Sequence, residues 1–599
     1  MDQNSIKNIY LNIRGKNELI LGRLKKKQTL ISLLRLLVFL SGLALTVAGF
    51  NFSVALGIVS LASVLLIFLV LVKKFSDCSD DIAYTRNLVR INDNEIKSLD
   101  ADYSAFDGGP GLVNPAHDFS NDIDLFGSDS LFGFLNRTVT GPGMDSLASW
   151  LSDPYKLRDD ILSRQKAVRE LAGKLEWRQH FMAAGLDRNI DSEGMKGIYE
   201  WLNEKATFFK SRHLKFSVFF FPAATLLSLC LVISGTIPLL VLVLMLFINF
   251  LQTGLLASRV NRVHMMVSQK HSFLSASEKL IDSLNNEEFL SSVLCDIKDK
   301  LCSEKDSVSR RIKDLEMIIR AFDTRLNMIA GLILNGLLLW DLHCILRLEK
   351  WKVSAAGSLP VWMNLLGEID GLNSLANFAY NNPGYCYPDI ATSGEVIEAY
   401  GMGHPLLGYA TRVVNDFSVN WKGLIIIITG ANMAGKSTFL RTVAVNLVLA
   451  MTGAPVCAGK MSFSPVRLFT SMRTTDSLSH SESYFFAELK RLKILKEKLE
   501  HDEDIFFILD EILKGTNSTD KSLGSKLFMR QMVKIGGTGL IATHDISLGE
   551  MESEFPDNIL NKCFEIEIDG EKISFDYILR DGITRKMNAA VLMKQMGIA

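Results

Sequence analysis

From Phe216 to Ser258 the chain carries no Asp, Glu, Lys or Arg, and from residue 29 to residue 72 its only charged side chain is Arg35. A soluble core seldom runs so far without a charge, because charged residues are almost never buried unless paired and most long segments reach the surface somewhere. Each stretch is broken once, the first at Gly49-Phe50-Asn51 and the second at Ser234-Gly235-Thr236-Ile237-Pro238. Every half is close to the ~20 apolar residues that cross a bilayer as a helix. Two transmembrane hairpins, four spans in all, are therefore expected. Leu326 to Trp340 is also apolar, but it is too short to cross before Asp341 and His343, and it reads as a buried core helix.

The flanks set an orientation. Lys7, Arg14, Lys16, Arg23, Lys25, Lys26 and Lys27 precede the first span, and the turn between spans one and two has no Lys or Arg. Lys73 and Lys74 end the first hairpin, Arg212 and Lys215 open the second, and Arg259 and Arg262 close it. By the positive-inside bias, both termini and every soluble segment lie in the cytoplasm, so the expected location is a multi-pass membrane protein. A signal peptide does not fit: the first apolar segment starts late, lacks a small-residue cleavage pattern and runs into a second. The mean hydropathy of +0.19 follows from the hairpins. The eight cysteines are dispersed, without C-x-x-C or a Cys/His cluster of metal spacing, which suggests reduced thiols. A net charge of −1 gives no general electrostatic reason to expect nucleic acid.

The chemistry lies nearer the C-terminus. The apolar run Leu424 to Ile428 leads directly into Thr429-Gly430-Ala431-Asn432-Met433-Ala434-Gly435-Lys436-Ser437-Thr438. A buried strand that breaks at glycine and turns into a helix points backbone N–H groups at one spot, where the helix dipole also favours an anion. This is the P-loop pattern: Gly430, Asn432, Gly435 and Thr438 shape the cradle, Lys436 reaches the β- and γ-phosphates, and the Ser437 hydroxyl holds Mg²⁺. Ile505 to Leu509 is a second continuous apolar run, as a strand covered on both faces should be, and it ends in Asp510-Glu511. Asp510 suits Mg²⁺ through its water shell, and Glu511 suits the attacking water as base. Gly539 to Thr543 reads as a third strand with His544 at its carboxyl end, where ligands sit in open α/β sheets. ATP and Mg²⁺ are the cofactors this set implies, with Glu511, His544 and Lys436 as the catalytic candidates and Ser437 and Asp510 as the metal ligands.

These motifs resemble the ATPase domain of the MutS family of mismatch-repair proteins, within the ABC-type class. TGANMAGKST is similar to the family's TGPNMGGKST, departing at Ala431 and Ala434. Asp510 to Asp520, DEILKGTNSTD, is similar to DEIGRGTSTYD, and Ala542-Thr543-His544 matches ATH. Ser483 to Leu489 is similar to STFMVEM, so the resemblance makes Ser483 the signature serine that meets the γ-phosphate of the opposite subunit in a homodimer. The preceding Gly-Arg of the family is here Ser481-Glu482, an acid near a phosphate. Ile573 to Tyr577, followed by Asp581-Gly582, resembles the segment of an adenine-stacking histidine, with Tyr577 at that place. Arg412 falls at the other stacking position, where its planar guanidinium suits a base.

The resemblance extends over most of residues 129 to 599. Ser130-Leu131-Phe132 through Thr138-Val139-Thr140 to Arg164-Gln165-Lys166-Ala167-Val168 is similar to the opening of the family's helical core domain, and Leu366 to Tyr380 with Gly403-His404-Pro405 to its end. The mismatch-reading and connector domains have no counterpart. The expected architecture is thus an α/β P-loop ATPase domain of ABC type plus an all-α MutS-like core interrupted by transmembrane helical hairpins. Its segments are a basic cytoplasmic tail (1–28), hairpin one (29–74), the first part of the core (75–214), hairpin two (215–258), a lever and second part of the core (259–400) and the ATPase domain (401–599). Residues 259–325, with apolar positions such as Val260, Val263, Val267, Leu280 and Leu284, read as long amphipathic levers.

Three functions compete at this level. One is a dimeric ATPase whose head drives or senses the membrane part. A second is a membrane-tethered factor that holds DNA between its core domains, without mismatch specificity because no base-reading wedge remains. The third is a nucleotide-gated switch or scaffold for a protein or lipid partner. A scaffold without hydrolysis is disfavoured by the intact Lys436, Asp510, Glu511 and His544.

Overall fold

The computed structural model describes residues 3–186, 192–204, 212–268, 271–302, 308–355, 357–391, 396–431, 433–473, 484–501, 504–514, 517–569 and 572–584. Two helices open the chain, α1 (Gln3–Phe52) and α2 (Val54–Leu99), of 50 and 46 residues. At 1.5 Å per residue they extend about 75 and 70 Å. Ser53 makes the turn between them and caps α2, its Oγ accepting from Leu56 N at 3.2 Å. The expected basic tail is not a separate segment: residues 3–28 are the first half of α1.

The two halves of this hairpin differ in what surrounds them. Toward the tip, apolar side chains face outward, as with Leu37 at 61% and Leu66 at 66% exposure. Toward the base, Ile6 and Tyr10 of α1 and Leu88, Ile91 and Glu95 of α2 are buried, and Arg14 pairs with Asp93 at 3.0 Å across the hairpin.

The helical body follows as α3 (Leu131–Leu135), α4 (Gly141–Ser152), α5 (Arg158–Ala172), α6 (Leu175–Gly185) and α7 (Ser192–Asn203). A second hairpin, α8 (Arg212–Ile233) and α9 (Leu239–Val267), rises from it. Then come α10 (His271–Asn285), α11 (Ser292–Cys302), α12 (Val308–Asp323), α13 (Met328–Leu338), α14 (Trp340–Ala355) and α15 (Leu359–Asn381). Among the described residues, α1, α2, α8 and α9 are each long and apolar enough to cross a membrane.

Two expectations need correction. The levers expected over 259–325 are not seen as long helices among the described residues, which form the end of α9 and the shorter α10, α11 and α12. Their apolar faces close on one another through Leu274, Leu280, Ile281, Ile312, Leu315 and Ile319, and a stripe satisfied by such folding back needs no extension. The long helices are instead α1 and α2. The segment 326–340 is not a buried core helix either. It is α13, which lies against the second hairpin with Met328 at 84% and Ile329 at 73% exposure.

The chain then builds two sheets from β1 (Asp389–Ile390), β2 (Ile397–Met402), β3 (Asn415–Val419), β4 (Ile425–Gly430), α16 (Lys436–Met451), β5 (Lys460–Phe463), β6 (Arg467–Ser471), α17 (Tyr484–Glu500), β7 (Ile505–Asp510), α18 (Ser518–Lys534), β8 (Thr538–Thr543), α19 (Ile546–Gly549), α20 (Met551–Glu554), β9 (Ile559–Asp569) and β10 (Lys572–Asp581). The smaller sheet has the order β1-β5-β2-β3 and the larger β10-β9-β4-β8-β7-β6. In the larger sheet β4 runs parallel to both neighbours, with β7 and β6 continuing parallel beyond β8. Full burial on both faces explains why β4, β7 and β8 read as unbroken apolar runs. One hydrophobic core joins the helical body to this domain, from Phe119 through Leu375 to Ile566. Asp122 reinforces the joint, accepting from Met472 N at 3.1 Å and Arg473 N at 2.8 Å.

A buried polar node ties the first hairpin to the body. Glu95 accepts from Arg137 Nε at 2.6 Å, Asn381 Nδ2 at 2.8 Å and Ser98 Oγ at 3.2 Å. Tyr10 OH donates to Asn381 Oδ1 at 2.7 Å, and Arg178 Nη1 to Asn377 Oδ1 at 2.8 Å. Removing one partner of a buried ion pair leaves an uncompensated charge. Glu95→Ala is therefore expected to cost about 3–5 kcal/mol, read as a fall in thermal unfolding midpoint of the solubilised chain; an unchanged midpoint would show that the node contributes little.

Candidate nucleotide-binding site

Three parallel strands bring their carboxyl ends to one edge. Gly430 ends β4, Asp510 ends β7 opposite Ala542, and Thr543 ends β8 opposite Thr429, so His544 emerges beside the loop that follows β4. In open α/β sheets this edge is where ligands bind. The loop then turns into α16 through Gly435, whose φ of +101° suits glycine alone. An added Cβ there would also stand 2.9 Å from Tyr577 Cδ1. The edge opens onto a cavity of about 520 Å³, within the usual range for small-molecule sites.

Lys436 is the first residue of α16 and is only 6% exposed. Its Nζ lies 2.7 Å from Gly430 O, 2.9 Å from Ala431 O and 3.2 Å from His544 Nδ1. Burial lowers its pKa to about 8, against the raising charges of Asp510 and Glu511. Burial also lowers His544, helped by the Lys436 charge, so the imidazole is neutral near pH 7. Its Nδ1 is also 2.9 Å from Gly430 O, and one tautomer donates there while the other accepts from Lys436.

One residue further on, Ser437 Oγ donates to Asp510 Oδ2 at 2.5 Å. Two hard oxygen donors at the phosphate cradle fit Mg²⁺ held through one or two side chains plus water and phosphate. Among the described residues no cluster of three His, Cys, Asp or Glu is arranged as a metal cage, so such an ion would depend on the nucleotide's own oxygens. Thr438 lines the same cavity.

Glu511 follows with a backbone φ of +60°, a conformation that costs a non-glycine residue about 1 kcal/mol or more and clusters at functional sites. Two residues not singled out in the sequence hold it there. Lys521 Nζ, in the first turn of α18, donates to Glu511 Oε1 at 2.8 Å. Burial pushes the Glu511 carboxyl up, but the Lys521 bond and charge, with His544 and Lys514, bring it below its ordinary value. Glu488 on α17, 4% exposed, accepts from Leu513 N at 2.5 Å and Lys514 N at 3.0 Å and so fixes the loop after β7. Glu488 stood inside the quoted segment Ser483 to Leu489 and Lys521 directly after Asp520; each becomes visible only when helix and loop meet.

Tyr577 stands at the cavity wall beside Gly435. A bulge in β10 between Phe575 and Leu579 aims it, and Asn415 pins the bulge, donating to Tyr577 O at 3.0 Å and accepting from Leu579 N at 2.7 Å. Arg412, expected as the second stacking group, does not line this cavity; Thr411 and Val413 on either side of it do. Its guanidinium is committed elsewhere, donating to Leu407 O at 2.6 Å and to Cys457 Sγ at 2.9 Å, and lying 5.5 Å from the Tyr385 ring centre. Asn432 and Ser483, with Ser481 and Glu482, lie outside the described residues.

Parallel strands, a strand–glycine turn–helix loop and a buried lysine beside a Ser–Asp pair define a P-loop nucleotide-binding domain. Residues 426–597 match the family model described as MutS domain V. The chain is 30% identical over 242 residues to the DNA mismatch repair protein MutS of Thermotoga sp. (strain RQ2), covering 40% of this chain and 30% of that protein. It is 33% identical over 238 residues to that of Persephonella marina, 39% of this chain and 27% of the relative, and 35% identical over 231 residues to that of Finegoldia magna, 37% and 26%. The matches thus span less than a third of these relatives' length. They make residues 426–597 similar to MutS domain V.

Proposed function

We propose that the chain is a membrane-anchored ATPase whose MutS-type head binds MgATP and converts it with water to ADP and phosphate. The observation that carries this reading is the convergence of Lys436, Ser437, Asp510, Glu511 and His544 on one cavity edge. Magnesium, when bound, neutralises phosphate charge. Ser437 Oγ and Asp510 Oδ2 would hold it or its waters, and Lys436 would exchange its carbonyl acceptors for phosphate oxygens. Glu511, kept ionised by Lys521, takes the proton of the attacking water as oxygen bonds to the γ-phosphorus and the bond to ADP breaks.

The four apolar helices support an anchor in the bilayer, with the head in the cytoplasm. The head acts as a homodimer in this reading, Ser483 of each copy serving the other's nucleotide. The relatives' names carry DNA mismatch repair; for this chain any contact with DNA is proposed through phosphates only, without mismatch specificity. A nucleotide-gated switch for a protein or lipid partner is the second reading, favoured by the buried node that joins α1 and α2 to the body.

Turnover by the purified chain tests the first reading. Glu511→Gln keeps the size and removes the base, so nucleotide binding is expected to persist while hydrolysis falls by a factor of about 10² or more; unchanged hydrolysis removes Glu511 from this role. Adding matched and mismatched duplex to the same assay separates the DNA reading from the switch.

The Lys521 contact sets a pH signature. Glu511 works as the carboxylate, and its lowered pKa extends activity toward acid. In Lys521→Met the carboxyl rises, so the acidic limb of the kcat–pH profile is expected at higher pH than in the native chain. A limb that does not move would show that Lys521 leaves Glu511's ionisation untouched.

A further inference from the structure

Among the described residues, none covers one apolar face of α13. Met328, Ile329, Leu332 and Ile333 are 84%, 73%, 60% and 51% exposed. They recur at i, i+1, i+4 and i+5, one side of a helix. One turn further on, the last turn of α13 packs on the second hairpin, where a Cβ added at Gly336 would meet the Phe250 ring at 3.0 Å and Leu246 at 3.5 Å. On the neighbouring α9, Leu244, Phe247 and Leu251 are likewise exposed.

Depth along α9 can be read from its partners. Asn249 lies midway along the charge-free part of α9, roughly 15 Å from either end at 1.5 Å per residue. Its Nδ2 donates to Thr225 Oγ1 of α8 at 3.0 Å and to the carbonyl of Gly336 at 2.6 Å. Gly336 belongs to the last turn of α13, where carbonyls lose their intrahelical donors. A helix that ended in hydrocarbon would need such a donor, since no water is there to supply one.

The break itself is equally satisfied. Leu339 takes the left-handed conformation, φ +49°, and its N–H returns to Asn335 O at 3.2 Å. Asn335 Oδ1 accepts from Asp341 N at 3.0 Å, supplying the partner that the start of α14 lacks. The axes of α13 and α14 differ by 81°.

Entry and exit are on one side. Arg325, before α13, pairs with Asp341, after it, at 3.2 Å. Arg325 also donates to Asn261 at 2.8 Å, twelve residues or about 18 Å below Asn249 along α9. Beyond Asp341 the chain returns to the body through the buried Ile345 and Leu348 of α14. A bent span formed by α13 and α14 together would leave this ion pair inside it.

We infer that α13 is a re-entrant element: it enters the bilayer beside α9, ends near the midplane under the Asn249 side chain, and presents Met328, Ile329, Leu332 and Ile333 to lipid acyl chains. The inference rests on the reading of α8 and α9 as spans. Asn249 is then the polar hub of α8, α9 and α13, with a structural duty toward a helix end.

Single cysteines in an otherwise cysteine-free full chain, labelled with an environment-sensitive fluorophore and reconstituted in phosphatidylcholine vesicles, test this. Leu332→Cys and Ile333→Cys are compared with Leu244→Cys on α9 and Leu290→Cys on the soluble body. Quenching of the two α13 sites by lipid carrying a mid-chain nitroxide, within twofold of that at Leu244, and little by aqueous iodide is the expected result. An impermeant maleimide should reach Thr324→Cys and Lys350→Cys from the same side. Iodide quenching at Leu332 and Ile333 while Leu244 remains lipid-quenched overturns the inference and leaves the spans standing. Shielding from both quenchers also overturns it, in favour of a protein partner or second copy, and labelling of Thr324 and Lys350 from opposite sides makes α13 part of a span. Iodide quenching at Leu244 defeats the spans and the inference together.

Discussion

An ammonium group stripped of most of its water at the end of a buried strand sets the terms for the rest of the head. Lys436 is held there by the carbonyls of Gly430 and Ala431 and by the His544 ring, acceptors that carry no full negative charge. Burial favours its neutral form, and an incoming phosphate would return the charge balance that burial removes. The geometry that creates this situation makes demands elsewhere: the turn needs glycine at 435, Glu511 is strained at positive φ, and the loop after β7 depends on Glu488. A fold with β4 between two parallel neighbours can hold those conformations, because strand ends in register leave the loops little freedom.

The same rigidity reaches the first hairpin. Buried hydrogen bonds join Glu95, Asn381 and Tyr10 of α2, α15 and α1 to Arg137 of the loop after α3, and Arg178 of α6 bonds Asn377 of α15. From the end of α15 the chain runs directly into the sheets. In the proposed reading, a change in the head is passed through these contacts to α1 and α2, about 75 and 70 Å long, as the movement of packed bodies.

Sequence carried the site further than the body. Gly430 to Thr438, Asp510-Glu511 and Ala542-Thr543-His544 were legible because strand, turn and helix are local and each residue type answers to one physical need. The break of the second hairpin, at Ser234 to Pro238, was legible for the same reason; that of the first falls at Ser53, just past Gly49 to Asn51, which lie inside α1. Contacts between distant segments were not. Nothing in the spacing of Lys521 says that it reaches Glu511, and nothing around Arg412 says that its guanidinium turns to Leu407 and Cys457. Length misled twice: a short apolar run at 326–340 suggested a core helix, and periodic apolar positions over 259–325 suggested levers. Periodicity gives a helix and a face, while the partner of that face decides whether helices extend, fold back or leave an apolar side open.

Equilibrium binding of MgATP to the full chain in lipid nanodiscs, with Lys436→Ala measured beside it, bears on the central claim most directly. Saturable binding that Lys436→Ala weakens a hundredfold or more, about 2.8 kcal/mol, is the predicted result. No binding by the native chain, or binding that Lys436→Ala leaves unchanged, would contradict a nucleotide site at this edge.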